Sequence, residues 1–322
     1  MAAKKTIVPA EIVDGFLDKT YAIDAAVKQS MGIEPAGDES QESYSDAEKT
    51  HLKSEAERLY QKQAKKLTAA FSGRNSKKGK KIYITAGGPG SGKTTLLRRK
   101  LAEGDIKGVY VDPDELLLEM TRFKSMLKAD PNSDVMRVAA YTKWRWGSNY
   151  VSNAVMNRAA SEGRNIVFGT TGTSPATPTL YENIKKAGYH IATVICHAPE
   201  DVRWQSAEKR FETERRYIPK QDFLDKGNNM FPDRVGEYFA YSDEVSLYWR
   251  DGLEKDAVLA VEAKDGKVTV HNQEALDAFL GELASHGKPV NWQKCVKSYE
   301  TRFEKPAQTP VAASKAAKPF RR

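Results

Sequence analysis

A glycine-rich segment at residues 82–95, IYITAGGPGSGKTT, combines residue types that can hold a chain of phosphate groups. Its glycines let successive backbone N–H groups turn toward one anion, at the start of a predicted helix whose dipole favours negative charge. The pattern Gly87-x4-Gly92-Lys93-Thr94 adds a mobile cation and a hydroxyl, which in such loops reach the β- and γ-phosphates and Mg²⁺, respectively. We predict an ATP site with Thr94 as the Mg²⁺ ligand, formed by Gly87, Gly88, Pro89, Gly90, Ser91, Gly92, Lys93, Thr94 and Thr95.

Two carboxylates, Asp112 and Asp114, follow the next apolar run along the chain. A carboxylate at this position can accept the proton of an acceptor hydroxyl or help to hold water around Mg²⁺, and spacing alone does not separate these roles. Together with Pro113, the two acids also fit the beginning of a helix. We expect Asp112 to be nearer the capping role and Asp114 nearer the catalytic role.

Two later segments carry hydroxyl or positively charged side chains. Residues 169–175, GTTGTSP, form a turn whose hydroxyls can bind phosphate or substrate, although this composition is ordinary in loops. A predicted helix from Glu200 carries Arg210 and Arg216, which can stabilise the charge on a transferring phosphoryl group. The alternative is a solvated helix face paired with the neighbouring glutamates.

Apolar runs at residues 82–86, 109–111, 166–168, 191–196 and 258–261 alternate with helical stretches. This order predicts an α/β fold of the P-loop NTPase or kinase type, with a parallel sheet covered by helices. Ligands of such sheets bind beyond the carboxyl ends of the strands, which is where the motifs fall. Residues 265–267, Asp-Gly-Lys, predict a hairpin turn near the end of the sheet.

We divide the chain into an N-terminal helical extension (residues 1–78), a P-loop domain (79–290) and a basic, largely disordered tail (291–322). Within the extension, Ser45 and Glu48 have capping-box spacing before a long amphipathic helix. One or two short helices are expected within residues 7–31, and a linker near residues 35–43. The extension either packs on the core as a helical layer or docks a partner. We favour the packed layer, because amphipathic helices usually pack.

The net charge of +8 over 322 residues is concentrated in two basic runs, at residues 74–81 and 305–322. A solvated linker and tail explain these runs, and contact with nucleic acid is the less favoured alternative because no aromatic side chains accompany them. The absence of 18 consecutive apolar residues argues against membrane insertion. The first residues lack the apolar region of a secretory signal, so we expect a cytoplasmic protein. Delivery into another cell by a dedicated secretion machine would leave no signal in this sequence.

Taken together, these motifs resemble the zeta-toxin family of P-loop kinases, whose known members phosphorylate UDP-N-acetylglucosamine, and a related plant-pathogen effector family that phosphorylates NAD. The resemblance covers about residues 81–272. It implies that Asp114 is the general base and that Lys93 and Thr94 bind phosphate and Mg²⁺. The family's lid pattern is similar to residues 210–213, RFET, and 216–221, RYIPKQ, which implies that Arg210 and Arg216 are phosphate clamps.

The acceptor side departs from the family pattern. The family segment E-G-T-G-R corresponds to residues 169–173, GTTGT, so Thr171 keeps the loop threonine. Gly169 and Thr173 stand where the family has a glutamate and an arginine. In the helix before this strand, the family has a further acid, and this chain has Asn153. We take Asp112, Asn153, Thr171 and Thr173 as candidate substrate-binding residues. The pattern indicates retained phosphoryl transfer with a changed acceptor.

The sequence therefore favours an ATP- and Mg²⁺-dependent kinase acting on a hydroxyl of a small nucleotide-like metabolite, such as NAD or a nucleotide sugar. The resemblance also implies a toxin or effector role and a neutralising, antitoxin-like partner protein. Two alternatives are a polynucleotide 5′-hydroxyl kinase and a non-catalytic nucleotide-binding interaction protein.

Overall fold

The computed structural model describes residues 6–22, 41–70, 79–214 and 216–304. In chain order, the strands are β1 Thr20–Tyr21, β2 Glu42–Ser43, β3 Lys81–Ala86, β4 Val109–Val111, β5 Ile166–Phe168, β6 His190–His197, β7 Glu244–Trp249, β8 Val258–Lys264 and β9 Lys267–Val270. The α-helices are α1 Ala10–Gly15, α2 Asp46–Ala70, α3 Lys93–Glu103, α4 Pro113–Glu119, α5 Thr121–Ala129, α6 Asp134–Ser161, α7 Thr177–Lys186, α8 Glu200–Glu214, α9 Lys220–Leu224, α10 Phe231–Tyr241, α11 Gln273–Ser285 and α12 Trp292–Glu300. A π-helix, Asp225–Met230, joins α9 to α10.

Strands β3 to β9 form one sheet in the order β4-β5-β3-β6-β7-β8-β9. The first five strands in this order are parallel, and β3 lies at their centre, with Ile82 opposite Ile166 on one side and Ile191 on the other. Helices cover both faces of such a sheet, which is why its strands appear in the sequence as apolar runs. The predicted α/β fold class is confirmed.

Strand β7 and the direction of β8 were not predicted. In β7, Glu244 and Ser246 alternate with the buried Val245 and Leu247, so the first half of the strand lacks a continuous apolar run. The predicted run at residues 258–261 does form a strand, but it pairs antiparallel to β7. The predicted hairpin turn joins β8 to β9.

The helices divide between the two faces of the sheet. Helix α6 packs on β4 and β5, and α2 packs on α6, so that Leu52 and Leu59 belong to the same apolar core as Val109. Helix α3 lies on the opposite face, where Leu96 contacts a cluster containing Val194. No helix among the described residues is long and apolar enough to cross a membrane.

The described part of the N-terminal region forms the packed helical layer that we favoured. Ser45 N donates to Glu48 Oε2 (3.0 Å) and Glu48 N donates to Ser45 Oγ (3.3 Å), which confirms the capping box. The amide side chain of Asn157 on α6 bonds both the N–H and the carbonyl of Val8. Helix α1 is one of the predicted short helices, and residues 23–40, which include most of the predicted linker, lie outside the described residues.

The structure corrects our assignment of residues 291–304 to a disordered tail. Helix α12 packs against α10 and β9, with Cys295 and Tyr299 buried. The Tyr299 hydroxyl donates to the Asp243 carbonyl at 2.6 Å. The predicted disorder of residues 305–322 and the three domain boundaries stay predictions.

Candidate active site

The loop between β3 and α3 contains two glycines at which any side chain would collide with the surrounding backbone. Gly87 and Gly90 have φ values of 140° and 77°. A Cβ atom on Gly90 would lie 1.9 Å from the Arg203 carbonyl oxygen, and one on Gly87 would lie 2.0 Å from the Cys196 carbonyl oxygen. The loop therefore packs closely on β6 and α8, and α3 begins directly after it with Gly92 as its N-cap.

Lys93 is folded over this loop. Its Nζ donates to the carbonyl oxygens of Gly87 (2.9 Å) and Gly88 (2.7 Å). Burial lowers the pKa of Lys93 to about 7, with a further lowering from Arg210. The ammonium group thus lies where the loop would hold phosphate.

Two arginines that we did not predict as site residues lie beside the loop, and one of them, Arg250, fastens it to α8. Arg203 is fully buried and donates from Nη2 to Asn228 Oδ1 at 2.5 Å. Arg250 Nη2 donates to the Gly90 carbonyl (2.8 Å) and to Ser206 Oγ (2.7 Å). Arg250 directly follows β7, so recognising that strand would have placed it at the carboxyl edge of the sheet.

Asp112 caps α4, as predicted. Its Oδ1 accepts hydrogen bonds from the N–H groups of Asp114 (2.9 Å) and Glu115 (3.4 Å), and Tyr110 Oη donates to Oδ2 at 3.2 Å. Burial, reinforced by the Asp114 charge, raises the pKa of Asp112 to about 6. Asp112 is therefore a buried acceptor whose charge depends on pH near neutrality.

Asp114 is held by one oxygen, and its other oxygen is buried without a hydrogen-bond partner among the described residues. Its Oδ2 accepts a hydrogen bond from Arg216 Nη2 at 2.7 Å. Its Oδ1 lies 3.5 Å from Arg145 Nε and has no hydrogen-bond partner among the described residues. Burial alone would raise the pKa of Asp114, but Arg216 and Arg145 hold it well below its ordinary value. The carboxylate is thus ionised at neutral pH and can still accept one hydrogen bond.

Arg210 and Arg216 differ in their ionic partners. Arg216, 7% exposed, lies 2.7 Å from Asp114 and 3.2 Å from Glu214. For Arg210, no carboxylate of the described residues lies within 4 Å, and its buried Nε has no hydrogen-bond partner there. Burial, and then the charge of Arg216, lower the pKa of Arg210. A buried guanidinium with an unpartnered N–H is suited to an anionic ligand.

The loop after β5 is hydrogen-bonded to the phosphate-binding loop, and its Thr173 side chain is buried. Gly87 N donates to the Thr171 carbonyl at 3.0 Å. The hydroxyls of Thr171 and Thr173 are 2.9 Å apart, and Thr173 is only 3% exposed. A Cβ atom on Gly169 would lie 2.5 Å from Asp112 Oδ2, so the glutamate of the family pattern does not fit beside Asp112 in this position.

The structure brings Lys93, Asp112, Asp114, Arg210 and Arg216 into one electrostatic cluster, and their functional roles stay predictions. Asn153 is half-buried on α6, two turns beyond Arg145. No hydrogen bond joins Asn153 to these groups within the described part of the chain. Substrate binding by Asp112, Asn153, Thr171 and Thr173 also stays a prediction.

Sequence reasoning missed Arg145, which contacts the predicted base from α6. The available signal was the recurrence of Tyr141, Arg145, Asn149 and Asn153 at four-residue intervals, which places polar groups along one helix face.

A phosphate-binding loop at the carboxyl end of a central parallel strand, faced by an ionised carboxylate and buried arginines, defines a P-loop kinase. Residues 64–234, more than half of the chain, match the zeta toxin family model, and the chain belongs to the zeta toxin family. The resemblance predicted from the motifs is therefore confirmed, and the chain is an ATP-dependent phosphotransferase.

Named relatives are distant in sequence. Toxin zeta of Streptococcus pyogenes is 23% identical over 217 residues, which cover 64% of this chain and 73% of that protein. Toxin zeta of Enterococcus hirae is 24% identical over 201 residues, covering 59% and 68%, respectively.

Two solved structures share the fold. The PezAT chromosomal toxin-antitoxin system of Streptococcus pneumoniae matches with a TM-score of 0.51 and 18% identity, over 80% of this chain and 95% of that one. The AvrRxo1-ORF1:AvrRxo1-ORF2 complex with ATP matches with a TM-score of 0.52 and 14% identity, over 80% and 84%. At these identities the likeness shows the fold alone.

Proposed function

We propose that this protein transfers the γ-phosphoryl group of ATP to a hydroxyl of a small nucleotide-like metabolite, with Asp114 as the general base. The buried, unpartnered oxygen of Asp114 carries this proposal. Its Oδ2 is fixed by Arg216, while its Oδ1 has no hydrogen-bond partner among the described residues and can accept one from a hydroxyl. The acceptor oxygen bonds to the γ-phosphorus, the bond from that phosphorus to the β–γ bridging oxygen breaks, the hydroxyl proton passes to Asp114, and ADP leaves.

In this proposal, the phosphate-binding loop, Arg210 and Arg216 bind the donor nucleotide. The backbone N–H groups at the start of α3 and the Lys93 ammonium bind the β- and γ-phosphates. Arg210, which has no carboxylate of its own within 4 Å in the described structure, and Arg216 stabilise charge on the transferring group. The ATP bound to the AvrRxo1 complex supports the assignment of the donor nucleotide.

The donor atoms fit Mg²⁺, which prefers oxygen ligands and keeps several waters. Thr94 offers a hydroxyl in the first turn of α3, and Asp112 offers a buried carboxylate nearby. The described residues contain no group of three or more histidine, cysteine or acidic side chains that would hold a metal by themselves, so phosphate and water oxygens would complete the ligand set. When bound, Mg²⁺ neutralises charge on the phosphates.

The acceptor class is part of the proposal, and a panel of compounds distinguishes NAD, nucleotide sugars and other nucleotides as acceptors. The test is to incubate the protein with Mg-ATP and NAD, UDP-sugars, nucleosides or 5′-hydroxyl oligonucleotides, and to resolve the products by mass. One small nucleotide-like acceptor should gain a single phosphate, and Lys93→Ala and Asp114→Asn should both abolish the product. Phosphorylation of the oligonucleotides alone would overturn the small-molecule proposal. ATP binding without any product would contradict catalysis on these acceptors.

We further propose that the activity is toxic and that a protein partner neutralises it. The named relatives are toxins, and the PezAT structure is described as a toxin-antitoxin system. Expression of the wild-type chain should arrest growth of a test cell, whereas Asp114→Asn should not. Equal growth arrest by both chains would contradict a catalytic origin of the toxicity.

A further inference from the structure

The two predicted clamp arginines are held in place in different ways. Arg216 is fixed by its ion pair with Asp114, because its Nη2 lies 2.7 Å from the carboxylate. Arg210 has no carboxylate within 4 Å among the described residues, and the charge of Arg216 adds to burial in lowering its pKa. Contacts other than an ion pair must therefore fix the direction of the Arg210 side chain.

Each of these arginines is followed directly in the chain by an aromatic residue, Phe211 and Tyr217, respectively. The two rings contact each other edge to face, with centroids 5.8 Å apart. The N–H of Arg216 donates to the Arg210 carbonyl at 3.4 Å, so the chain turns back on itself at the end of α8. The aromatic pair therefore fixes the two arginine-bearing segments relative to each other.

Helix α6 supplies a third ring to this contact. Tyr141 meets Tyr217 edge to face, with ring centroids 6.3 Å apart. Arg137, one turn earlier on α6, has its guanidinium carbon 6.0 Å from the centre of the Phe211 ring. Arg137 is itself fixed by Asp134, since its Nη1 donates to Oδ1 at 2.7 Å. The three rings, Tyr141, Phe211 and Tyr217, form an aromatic cluster that joins α6 to the end of α8.

The aromatic cluster lies beside the proposed base. Tyr141 Oη accepts a hydrogen bond from Arg145 Nε at 3.1 Å, and that nitrogen lies 3.5 Å from Asp114 Oδ1. Asp114 in turn accepts a hydrogen bond from Arg216, the neighbour of Tyr217 in the chain. These contacts form a closed circuit around the carboxylate. Removing a ring of the cluster opens this circuit without removing any of its charges.

Aromatic rings are suited to hold an arginine that has no ion pair. All three rings of the cluster are half-buried, and an aromatic side chain has few rotatable bonds, so ordering it costs little entropy. A long arginine side chain loses much more rotamer freedom when it is held in one direction. Stiff neighbours reduce the number of directions that such a side chain can adopt before the ligand arrives.

We propose that the aromatic cluster positions Arg210 for contact with the γ-phosphate of the nucleotide, with Tyr217, which touches both other rings, as the main positioning residue. This inference rests on the proposed kinase function and adds to it residues that contact neither substrate. Arg216 depends less on the cluster, because Asp114 also holds it.

The test compares the affinities for ADP and for the non-hydrolysable ATP analogue AMP-PNP, both with Mg²⁺, by calorimetry. The ratio of the two affinities reports the contact with the γ-phosphate, because the phosphate-binding loop holds the other phosphates of both ligands. Arg210→Gln should lower the preference for AMP-PNP by about tenfold, since it removes charge-assisted hydrogen bonds. Tyr217→Ala should lower this preference by about three- to tenfold and leave the affinity for ADP unchanged, because the arginine is present but no longer directed at the phosphate.

Three further variants separate positioning from packing. Tyr217→Phe, which keeps the ring, should retain the preference for AMP-PNP. Tyr241→Ala, the matched control, removes a half-buried tyrosine that meets Tyr181 edge to face at 6.2 Å near the amino end of β7, and should leave both affinities unchanged. The double variant Arg210→Gln/Tyr217→Ala should show no larger loss than Arg210→Gln alone, because the cluster acts through Arg210.

An unchanged preference in Tyr217→Ala, or a further loss in the double variant, would overturn the proposal. An equal fall of the ADP and AMP-PNP affinities in Tyr217→Ala would also overturn it, since a merely structural role gives that result. Because binding needs no turnover, a protein that shows the expected ratios but phosphorylates no acceptor would contradict the kinase function and keep the positioning role. For an acceptor that does turn over, Tyr217→Ala should lower kcat more than it raises the KM for that acceptor.

Discussion

The donor and acceptor sides of this site are built in different ways. The donor side is a continuous loop, residues 87–94, whose glycines and lysine are adjacent in the sequence. The acceptor side joins Asp114 on α4 to Arg145 on α6 and Arg216 beyond α8, which are far apart in the chain. A local motif can be identified by its pattern, whereas a tertiary cluster needs the fold. The predicted ATP-binding residues thus lie in the part that the sequence shows best, and the predicted acceptor side lies in the part that it shows least.

Replacing the predicted base should give the largest difference between the effects on the acceptor side and on the donor side. Asp114→Asn should lower turnover by about 10²- to 10⁴-fold, because the amide cannot take the acceptor's proton. ATP affinity, measured by calorimetry, should change less than threefold, since Asp114 belongs to the acceptor side. Glu119→Gln, which removes an acid of the same helix that pairs with Lys62, is the matched control. An equal loss of ATP affinity and turnover in Asp114→Asn would show that the two sides are not separable.

The two predicted clamp arginines should have different effects on stability. Both Arg210→Gln and Arg216→Gln should lower turnover by about 10²- to 10³-fold, because both remove charge stabilisation from the transferring group. Only Arg216→Gln should lower the free energy of unfolding, by about 1–3 kcal/mol, since it leaves Asp114 without its hydrogen-bonded cation. Urea denaturation monitored by tryptophan fluorescence measures this difference. Similar unfolding free energies for the two variants would contradict the ion-pair assignment.

The donor side should respond to pH through Lys93. Burial lowers the pKa of Lys93 to about 7, so the free protein loses this proton as the pH rises above neutrality. Phosphate favours the charged lysine, and binding must then take up a proton, so ATP affinity should fall by up to about tenfold per pH unit above 7. Calorimetry in buffers of different ionisation enthalpy should detect uptake of nearly one proton at pH 8.5. Lys93→Arg should lose this dependence, and a flat affinity from pH 7 to 9 in the wild-type protein would rule the linkage out.

The smallest effect should come from the contact between Gly169, in the loop after β5, and Asp112. In Gly169→Ala the added Cβ atom would lie 2.5 Å from Asp112 Oδ2, which should cost about 1–3 kcal/mol in unfolding free energy. Gly281→Ala on α11, whose added Cβ atom has nothing within 4 Å, should be neutral or slightly stabilising. Thermal melts of both variants measure the contrast. The penalty should be smaller when Asp112 is also replaced by alanine, and an unchanged penalty would show that Asp112 is not its source.

The parts of the fold that were predicted correctly are those determined by residues close together in the sequence. The strand at residues 166–168 is an uninterrupted apolar run, and Ser45 with Glu48 satisfies the first turn of α2 through bonds between near neighbours. Strand β7 was missed because it begins with the charged residue Glu244. The carboxylate of Glu244 pairs with the Lys81 ammonium of β3 at 2.7 Å, and these two residues are 163 positions apart in the chain. Helix α12 was missed although Trp292, Cys295, Val296 and Tyr299 have the spacing of one helical face.

The same division applies to the site. The loop, Asp112 as a cap and Asp114 as a carboxylate beyond a strand all followed from short-range patterns. Arg145 did not, because nothing in the spacing of α6 indicates which charge lies across from it. The burial of Arg203 beneath the loop was also beyond the sequence, since an arginine among glutamates is more often solvated.

The attachment of the phosphate-binding loop to α8 has a consequence for how the site moves. The Arg203 carbonyl fills the space beside Gly90, and Arg250 bonds both the Gly90 carbonyl and Ser206 of α8. Because the same helix carries Arg210, a displacement of α8 should move the loop and this arginine together. A substitution at Ser206 or Arg250 can then misalign catalysis without touching either substrate.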